Sequence, residues 1–351
     1  MVLAAGVGSR LEPLTTQLPK PLVPIANCPV MEHIVRLLAD HGFSEICANL
    51  HHLPDLIEGY FQDSVSSKIH FLREKELSGD AGGVRACHSF LGQSTFMVLM
   101  GDSLTDADLT AVFSEHKKKK ALATIGLKQV EDVSRFGVAV LDQDGWIKGF
   151  QEKPSPTEAK SNLVSTAIYV LEPEVFNYIP KSGMFGFGRQ LFPALVQQGL
   201  PVLGVEIDGY WIDVGTIEHY RQANFDALAG QVAVQIPGRL TARTSESSTV
   251  WLADGAILEP NVVIEGHALI GRGTIIRSGT RLSGSVVVGD HCLIERNVSL
   301  HNTIVWSNVQ VGAEAHLTDS IIARHVRVEA ATSSIGITVV NEDSSAKVVL
   351  T

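Results

Sequence analysis

The second half of the chain carries an apolar residue at every sixth position. Leu252, Leu258, Ile264, Ile270, Ile276, Leu282, Val288, Ile294 and Leu300 follow one another without a miss. With about half of residues apolar, nine hits in one register arise by chance roughly once in 500. Four places after each stands a small or β-branched residue: Ala256, Val262, Ala268, Thr274, Thr280, Val286, Cys292, Val298 and Ile304. The register slips by one near Trp306 and resumes at Val311 and Leu317. A strand repeats every two residues and a helix every 3.6, so neither produces this period. A parallel β-helix does: six residues build one face of a triangular prism, the aliphatic residue points inward, and glycine or polar residues turn the corners. With three faces to a coil, Leu252 to about Val328 makes roughly four coils. This places a β-helix at 251–330. The tail, 331–351, shows no pattern beyond a strand at Ile335 to Val340.

The first 230 residues read differently. Ile34 to Gly42 has helical spacing and stops at a glycine that suits a helix cap. Ile46–Leu50 reads as a buried strand and Ile69–Leu72 as another strand, with a helix face at Leu56, Ile57, Tyr60 and Phe61 between them. Phe96–Met100 is a strand that ends at Gly101-Asp102. Val138 to Phe150 reads as a hairpin turning at Asp144-Gly145. Val164–Leu171 and Val202–Ile207 are further strands, and Ile217 to Leu228 is a closing helix. Alternating strands and helices make a doubly wound α/β sheet, whose ligands sit at the carboxyl ends of its strands. Residues 231–250 are richer in polar and small residues and read as a linker. Lys117–Lys120 reads as a solvated helix end.

The start of the chain is an apolar run that breaks into glycine: Leu3-Ala4-Ala5-Gly6-Val7-Gly8-Ser9-Arg10, with Pro19-Lys20-Pro21 beyond. A strand ending in such a loop lets backbone N–H groups close on a phosphate chain, which a Cβ would hold off. It is neither a P-loop, which needs Gly-Lys-Ser/Thr, nor a dinucleotide fingerprint, whose third glycine would fall at Leu11. The stretch resembles the opening of sugar-1-phosphate nucleotidyltransferases, L-A-A-G-x-G-T-R-L-x-P-L-T followed by P-K-P, with Ser9 in place of Thr. The resemblance to mannose-1-phosphate guanylyltransferase-like members covers essentially the whole chain. It implies a doubly wound Rossmann-like nucleotidyltransferase domain at 1–230, followed by a left-handed parallel β-helix.

The reaction implied is attack by a sugar-1-phosphate oxygen on the α-phosphorus of a nucleoside triphosphate, with pyrophosphate leaving. Such chemistry needs cations and a metal rather than a covalent nucleophile. By the family pattern, Arg10, Lys20 and Asp102 are catalytic. Leu3, Ala4, Ala5, Gly6, Gly8 and Ser9 bind nucleotide, together with Glu76, Gly79 and Gly82 of the base loop Glu76–Gly83. Gly101, Glu152, Lys153 and Ser165 bind the sugar phosphate. Asp102 and Asp213 hold Mg²⁺, a hard ion that takes one or two carboxylates plus phosphate oxygens and water. Two positions depart from the pattern. Asp80 stands where Thr is usual, and Ser165-Thr166-Ala167 where Asn-Ala-Gly is common. An acidic residue beside phosphates would repel, so Asp80 is expected to point away or to meet base or sugar. The base loop resembles that of mannose-1-phosphate guanylyltransferases, so GTP with mannose 1-phosphate is the first expectation. UTP or dTTP with glucose 1-phosphate is the alternative.

A net charge of −10, from 28 basic and 38 acidic residues, argues against nucleic-acid or anionic-membrane partners. No apolar run reaches spanning length, and a cytoplasmic enzyme is expected. Cys28, Cys47, Cys87 and Cys292 are scattered and read as reduced thiols. The open end and flat faces of a β-helix favour contact with a second copy, hence a homo-oligomer. Two other readings stay open: acyl transfer on the β-helix, using one of His267, His291, His301, His316 or His325, and a catalytically silent subunit that binds nucleotide sugar.

Overall fold

The fold is taken from a computed structural model, which describes residues 1–64, 68–134, 136–152, 154–245, 248–342 and 345–350. The chain divides into two compact units. The first holds 1–7, 19–21 and 34–213; the second holds 8–18, 22–33 and 214 onward.

The first unit is built on a nine-stranded sheet. Its strands are β1 (Val2–Leu3), β2 (Ile46–Leu50), β3 (Ile69–Arg73) and β4 (Phe96–Met100), then, past the short β5 (Ser103–Thr105), β6 (Ala123–Gln129), β7 (Gly137–Leu141), β8 (Ile147–Glu152), β9 (Leu163–Leu171) and β10 (Val202–Glu206). The order is β8-β7-β9-β4-β1-β2-β3, with β6 beside β9 and β10 beside β6. Val2 pairs in parallel with Ala48 on one side and Leu99 on the other. These central strands are buried throughout or nearly so, as parallel strands covered on both faces require. The parallel pattern stops at β4, because β9 runs antiparallel to both β4 and β6. Chain direction across the sheet reverses between β1 and β4, so their carboxyl ends open a crevice. Helices α1 (Val30–Asp40), α2 (Pro54–Ser64), α3 (Asp80–Ala86) and α4 (Leu109–Lys119) connect these strands. Within the lysine run, Lys117 pairs with Glu172 at 2.8 Å, and Lys120 ends the helix in the left-handed region.

In the second unit, the β-helix stacks Leu252, Ile270, Val288, Val305, Ile322 and Val339 along one face. Six layers make five turns, one more than expected, and they extend into the supposed tail. The spacing also differs. Ile270 meets Val288 eighteen residues on, but Val288 meets Val305 only seventeen on, and Val305 meets Ile322 likewise. The slip expected near Trp306 lies at Asn302-Thr303, where the corner shortens by one residue, and it recurs at Asp319-Ser320. Asn302 and Asp319 carry these corners in the left-handed region, at φ 46° and 50°. Thr303 and Ser320, fully buried, take the inward place that Ala268 and Val286 hold in earlier coils. Their hydroxyls donate to His301 and Thr318 carbonyls, which is how a polar residue sits inside the prism.

The stretch expected as a linker contains Arg239–Ser245 and Ser248–Leu252, an antiparallel pair that opens this stack. At the other end Ile337–Glu342 pairs antiparallel with Ser345–Leu350. At both ends of the longest ladder the chain adds an antiparallel strand of its own, so the outermost strands there are Arg239–Ser245 and Ser345–Leu350. Helix α5 (Ile217–Ala229) starts at Thr216, whose hydroxyl accepts from His219 N–H, and packs against the outside of the same stack. Trp306 Nε1 donates to the buried Tyr220 hydroxyl at 2.8 Å. Beneath lie Leu269, Val287, Ile304 and Ile321, all buried and all outward-pointing alternates of the inward residues. No helix among the described residues is long and apolar enough to cross a membrane. All four cysteines are buried, and none is in a disulfide.

Candidate active site

A cavity of about 240 Å³ opens at the carboxyl ends of β1 and β4 in the first unit. Leu3, Ala4, Ala5 and Gly6 form one wall. Lys20, Pro21, Met100 and Asp102 form another, and Asn49, Glu74, Leu77, Gly79, Asp80 and Met184 the rest. The Lys20 side chain is only 7% exposed. Its ammonium lies 2.5 Å from Asp102 Oδ2 and 3.6 Å from Asp213 Oδ1. Asp213 arrives on β11 (Trp211–Asp213), which pairs antiparallel with β5 so that Asp213 faces Ser103, next to Asp102. Residues 20, 102 and 213, remote in sequence, thus form one cluster.

The base loop is tied to the sheet by a chain of side chains. Asn49 Oδ1 accepts from Ala4 N–H at 3.1 Å, and Asn49 Nδ2 donates to Glu74 Oε1 at 2.6 Å. Ser78 Oγ donates to Glu74 Oε2. Glu74, rather than the expected Glu76, lines the cavity. Glu74 N–H still extends the β2–β3 ladder by donating to Leu50 O, after which the chain turns outward and leaves Glu76 exposed.

Gly79 does line the cavity, at φ +80°, where a Cβ would stand 2.5 Å from Phe185 O. Gly82 does not line it. Gly82 N–H donates to the same carbonyl, and a Cβ there would meet Ser78. The close approach that Gly79 permits is to Phe185, in the protein's own segment 180–187, and that of Gly82 is to Ser78 in its own loop. Gly101 is crowded in the same way against β1, with Leu3 O at 3.2 Å from a built Cβ.

Asp80 does not point away. Its Oδ1 accepts from Ala81 N–H at 2.8 Å and Phe187 N–H at 2.7 Å. Burial pushes its carboxyl above the ordinary range, against the pull of those amides. Ser165 lies in a larger neighbouring cleft of about 1040 Å³, with Lys148, Gln151, Tyr169 and Arg189. Its hydroxyl accepts from Ala167 N–H at 3.3 Å, across an irregularity in β9 where Ala167 has φ +58°.

Gly8, Ser9 and Arg10 fall in the second unit and are not among the residues lining either cavity. They form an exposed short turn, closed by Thr15 Oγ1 donating to Gly8 O. Glu152 is a backbone partner of Gly137, while its side chain and Lys153 lie outside the described residues.

A nucleotidyl transferase family model matches residues 1–230, and a model of the eIF2B subunit epsilon LbH domain matches 247–344. This chain belongs to the nucleotidyl transferase family. A UTP–glucose-1-phosphate uridylyltransferase of Synechocystis sp. is 38% identical over 92% of this chain and 86% of its own length. A mannose-1-phosphate guanylyltransferase of Mycobacterium tuberculosis is 30% identical, over 84% of this chain and 82% of its own length. The catalytic subunit beta of mannose-1-phosphate guanylyltransferase from Drosophila pseudoobscura is 29% identical over 98% and 88%. These relatives are sugar-1-phosphate nucleotidyltransferases, and the two family models match the α/β part and the β-helix of this chain in turn.

The transferase cluster fits a hard divalent cation. Asp102, Asp213 and Lys20 together carry −1 (two carboxylates, one ammonium), which would repel a triphosphate. A divalent ion on the two carboxylates makes the sum +1. Two carboxylates are as many protein ligands as Mg²⁺ commonly takes, phosphate oxygens and water making up the rest; among the described residues there is no group of three or more His, Cys, Asp or Glu that could hold a metal.

Sequence reading missed Asn49, Glu74 and the segment 184–190. Asn49 had a signal: it is the one strongly polar residue in the buried strand Ile-Cys-Ala-Asn-Leu, and a buried polar side chain must find partners.

Proposed function

We propose that this nucleotidyl transferase joins a nucleoside triphosphate to a hexose 1-phosphate. A phosphate oxygen of the sugar attacks the α-phosphorus, the bond to the bridging oxygen breaks, and pyrophosphate leaves with that oxygen. The observation that carries the reading is Lys20 held between Asp102 and Asp213 at the glycine-rich end of β1. In this reading Mg²⁺, held by Asp102 and Asp213, supplies Lewis-acid stabilisation of the phosphoryl oxygens. Lys20 and Arg10 supply fixed positive charge to the triphosphate and the departing pyrophosphate. The backbone of Leu3–Ser9 and the base loop hold the nucleotide. Glu152 accepts from sugar hydroxyls, Lys153 binds the sugar phosphate, and Gly101 and Ser165 complete that subsite.

For substrates, the 38% identity to the Synechocystis enzyme supports UTP with glucose 1-phosphate. The form of the base loop and the Mycobacterium relative support GTP with mannose 1-phosphate as a second reading. Pyrophosphate release with Mg²⁺, across four nucleoside triphosphates and the two sugar phosphates, tests both. One productive pair fixes the specificity. Silence in every pair, from folded protein that still binds a nucleotide sugar, overturns the catalytic reading in favour of a regulatory one. Self-association through the flat faces of the β-helix belongs to the same proposal.

A further inference from the structure

The nucleotide cavity and the neighbouring cleft share a short stretch of wall: Gly79, Asp80 and Met184 line both. Any ligand with one end in each must pass these residues. Met184 stands 71% exposed there and Gly79 has no side chain, which leaves Asp80 as the polar group at the junction.

The two oxygens of Asp80 are not equivalent. Oδ1 is used twice by backbone amides, Ala81 N–H within the base loop and Phe187 N–H across from it. Around that bond the segments are laced by Phe185 N–H to Ser78 O at 2.8 Å and Gly82 N–H to Phe185 O at 3.0 Å. Gly186 completes the fit, since a Cβ there would lie 3.3 Å from Oδ1. Oδ2 takes no hydrogen bond from any other described residue, and it is not sealed off as a buried unsatisfied atom. An ionised carboxylate has acceptor sites only. It repels phosphate, and Lys20 lines the nucleotide cavity alone. What fits beside Oδ2 is an uncharged donor, an N–H of the base or an O–H of ribose or hexose.

We propose that Asp80 is a specificity-determining residue, whose Oδ2 accepts an N–H or O–H donor of the nucleotide sugar at the junction of the two cavities while Oδ1 straps 184–187 to the base loop. The assignment rests on the reaction proposed above for the identity of the ligand. It goes further by giving a role to the residue that departs from the family pattern.

Asp80→Asn is the informative variant. It keeps an acceptor oxygen for the two amides and presents –NH₂ in place of the free oxygen, at the same size. UDP-glucose, GDP-mannose, UTP and GTP are titrated calorimetrically into wild type and variant. The expected result is at least a tenfold weaker affinity for the nucleotide sugar that wild type binds, with the melting temperature unchanged, as for other sites that lose a hydrogen bond to a donor. Equal weakening of the parent triphosphate puts the donor on the nucleotide; an unchanged triphosphate affinity puts it on the hexose. If Asp80→Asn unfolds, Asp80→Ser, which keeps one acceptor for the amides and no free carboxylate oxygen, is titrated instead with the same expectation. Affinity within twofold of wild type in the folded variant overturns the assignment, as does wild type that binds none of the four. A silent pyrophosphate assay with intact, Asp80-dependent binding would overturn the reaction but leave this assignment standing.

Discussion

Asp102 pairs with Lys20 and, in the proposed reaction, would also hold the metal. Lys20 is buried against it, while the metal proposed for the site needs its other capacity. Replacing Asp102 by alanine would leave a nearly buried ammonium with Asp213 alone, so a loss of activity would be confounded by instability. Asp102→Asn keeps the shape and a hydrogen-bond acceptor. It is expected to lower kcat by about 10²–10³, the usual cost of one transition-state electrostatic contact. The melting temperature should fall by much less than for the alanine variant. A kcat within threefold of wild type in steady-state pyrophosphate release would remove Asp102 from the reaction. A second residue-scale prediction concerns His116, fully buried in the first unit, with Nδ1 2.7 Å from Thr124 Oγ1 and Nε2 3.2 Å from Glu172 Oε1. Burial lowers its pKa, outweighing Glu172. The unfolded imidazole, with a pKa of about 6.5, then binds protons that the folded one refuses. Its contribution to stability is intact above that pH and is lost as pH falls below it. Thermal melts at pH 7.5 and 5.5 should show a larger drop for wild type than for His116→Gln; equal drops would exclude it.

At the scale of elements, the first unit is a set of strand ends held in register by a few polar side chains. Asn49 joins β1 to β2, Glu74 extends β3, and Ser78 fastens the base loop to Glu74. Asn49→Ala would orphan the Ala4 N–H and one Glu74 oxygen. A cost of about 1–3 kcal/mol is expected from the unpaired buried groups. The KM for the triphosphate should rise more than that for the sugar phosphate, because the loop after β1 loses its tie. Chemical denaturation and initial rates check the two parts separately; an equal rise in both KM values would show general loosening instead. Gly79→Ala tests the lacing of the base loop. A Cβ at φ +80°, 2.5 Å from Phe185 O, should cost more than about 1 kcal/mol and weaken triphosphate binding. Unchanged affinity by calorimetry would show that loop 180–187 yields freely. The strands that frame this network were plain in the sequence, since Ile46–Leu50 and Phe96–Met100 are apolar runs with turn residues beyond. The network itself was not, because hydrogen bonds from 4 to 49 to 74 to 78 have no period.

For the whole molecule, the β-helix is both the most legible part and the source of several corrections. Its inward aliphatics kept the period of six as far as Leu300. Beyond that the coil shortened from eighteen to seventeen residues, which Thr303 and Ser320 hid by placing hydroxyls where aliphatics had been. Helix α5 packs on one outer face, which leaves the other faces and the outermost strands of the ladder for self-association. Ile257, Ile275 and Leu293 stack outward on a second face, with Ile257 half exposed. If copies meet there, Ile257→Asp should lower the sedimentation coefficient while leaving the melting temperature near wild type; an unchanged profile would rule that face out. Removing everything after Gln235 would also strip α5 of the surface that buries Tyr220, Ala223 and Leu228, so aggregation is expected there rather than a clean change of oligomer. The sequence by itself determined the family, the α/β unit followed by a β-helix, and the residue types of the reactive cluster, because periodicity and fixed motif spacing are local properties of the chain. Only the tertiary structure decided that Lys20, Asp102 and Asp213 meet, that Glu74 replaces Glu76 in the cavity wall, and that Asp80 stands at the junction of two cavities. Those outcomes depend on which strand ends lie side by side, and strand order is set by long-range packing that no short window of sequence contains.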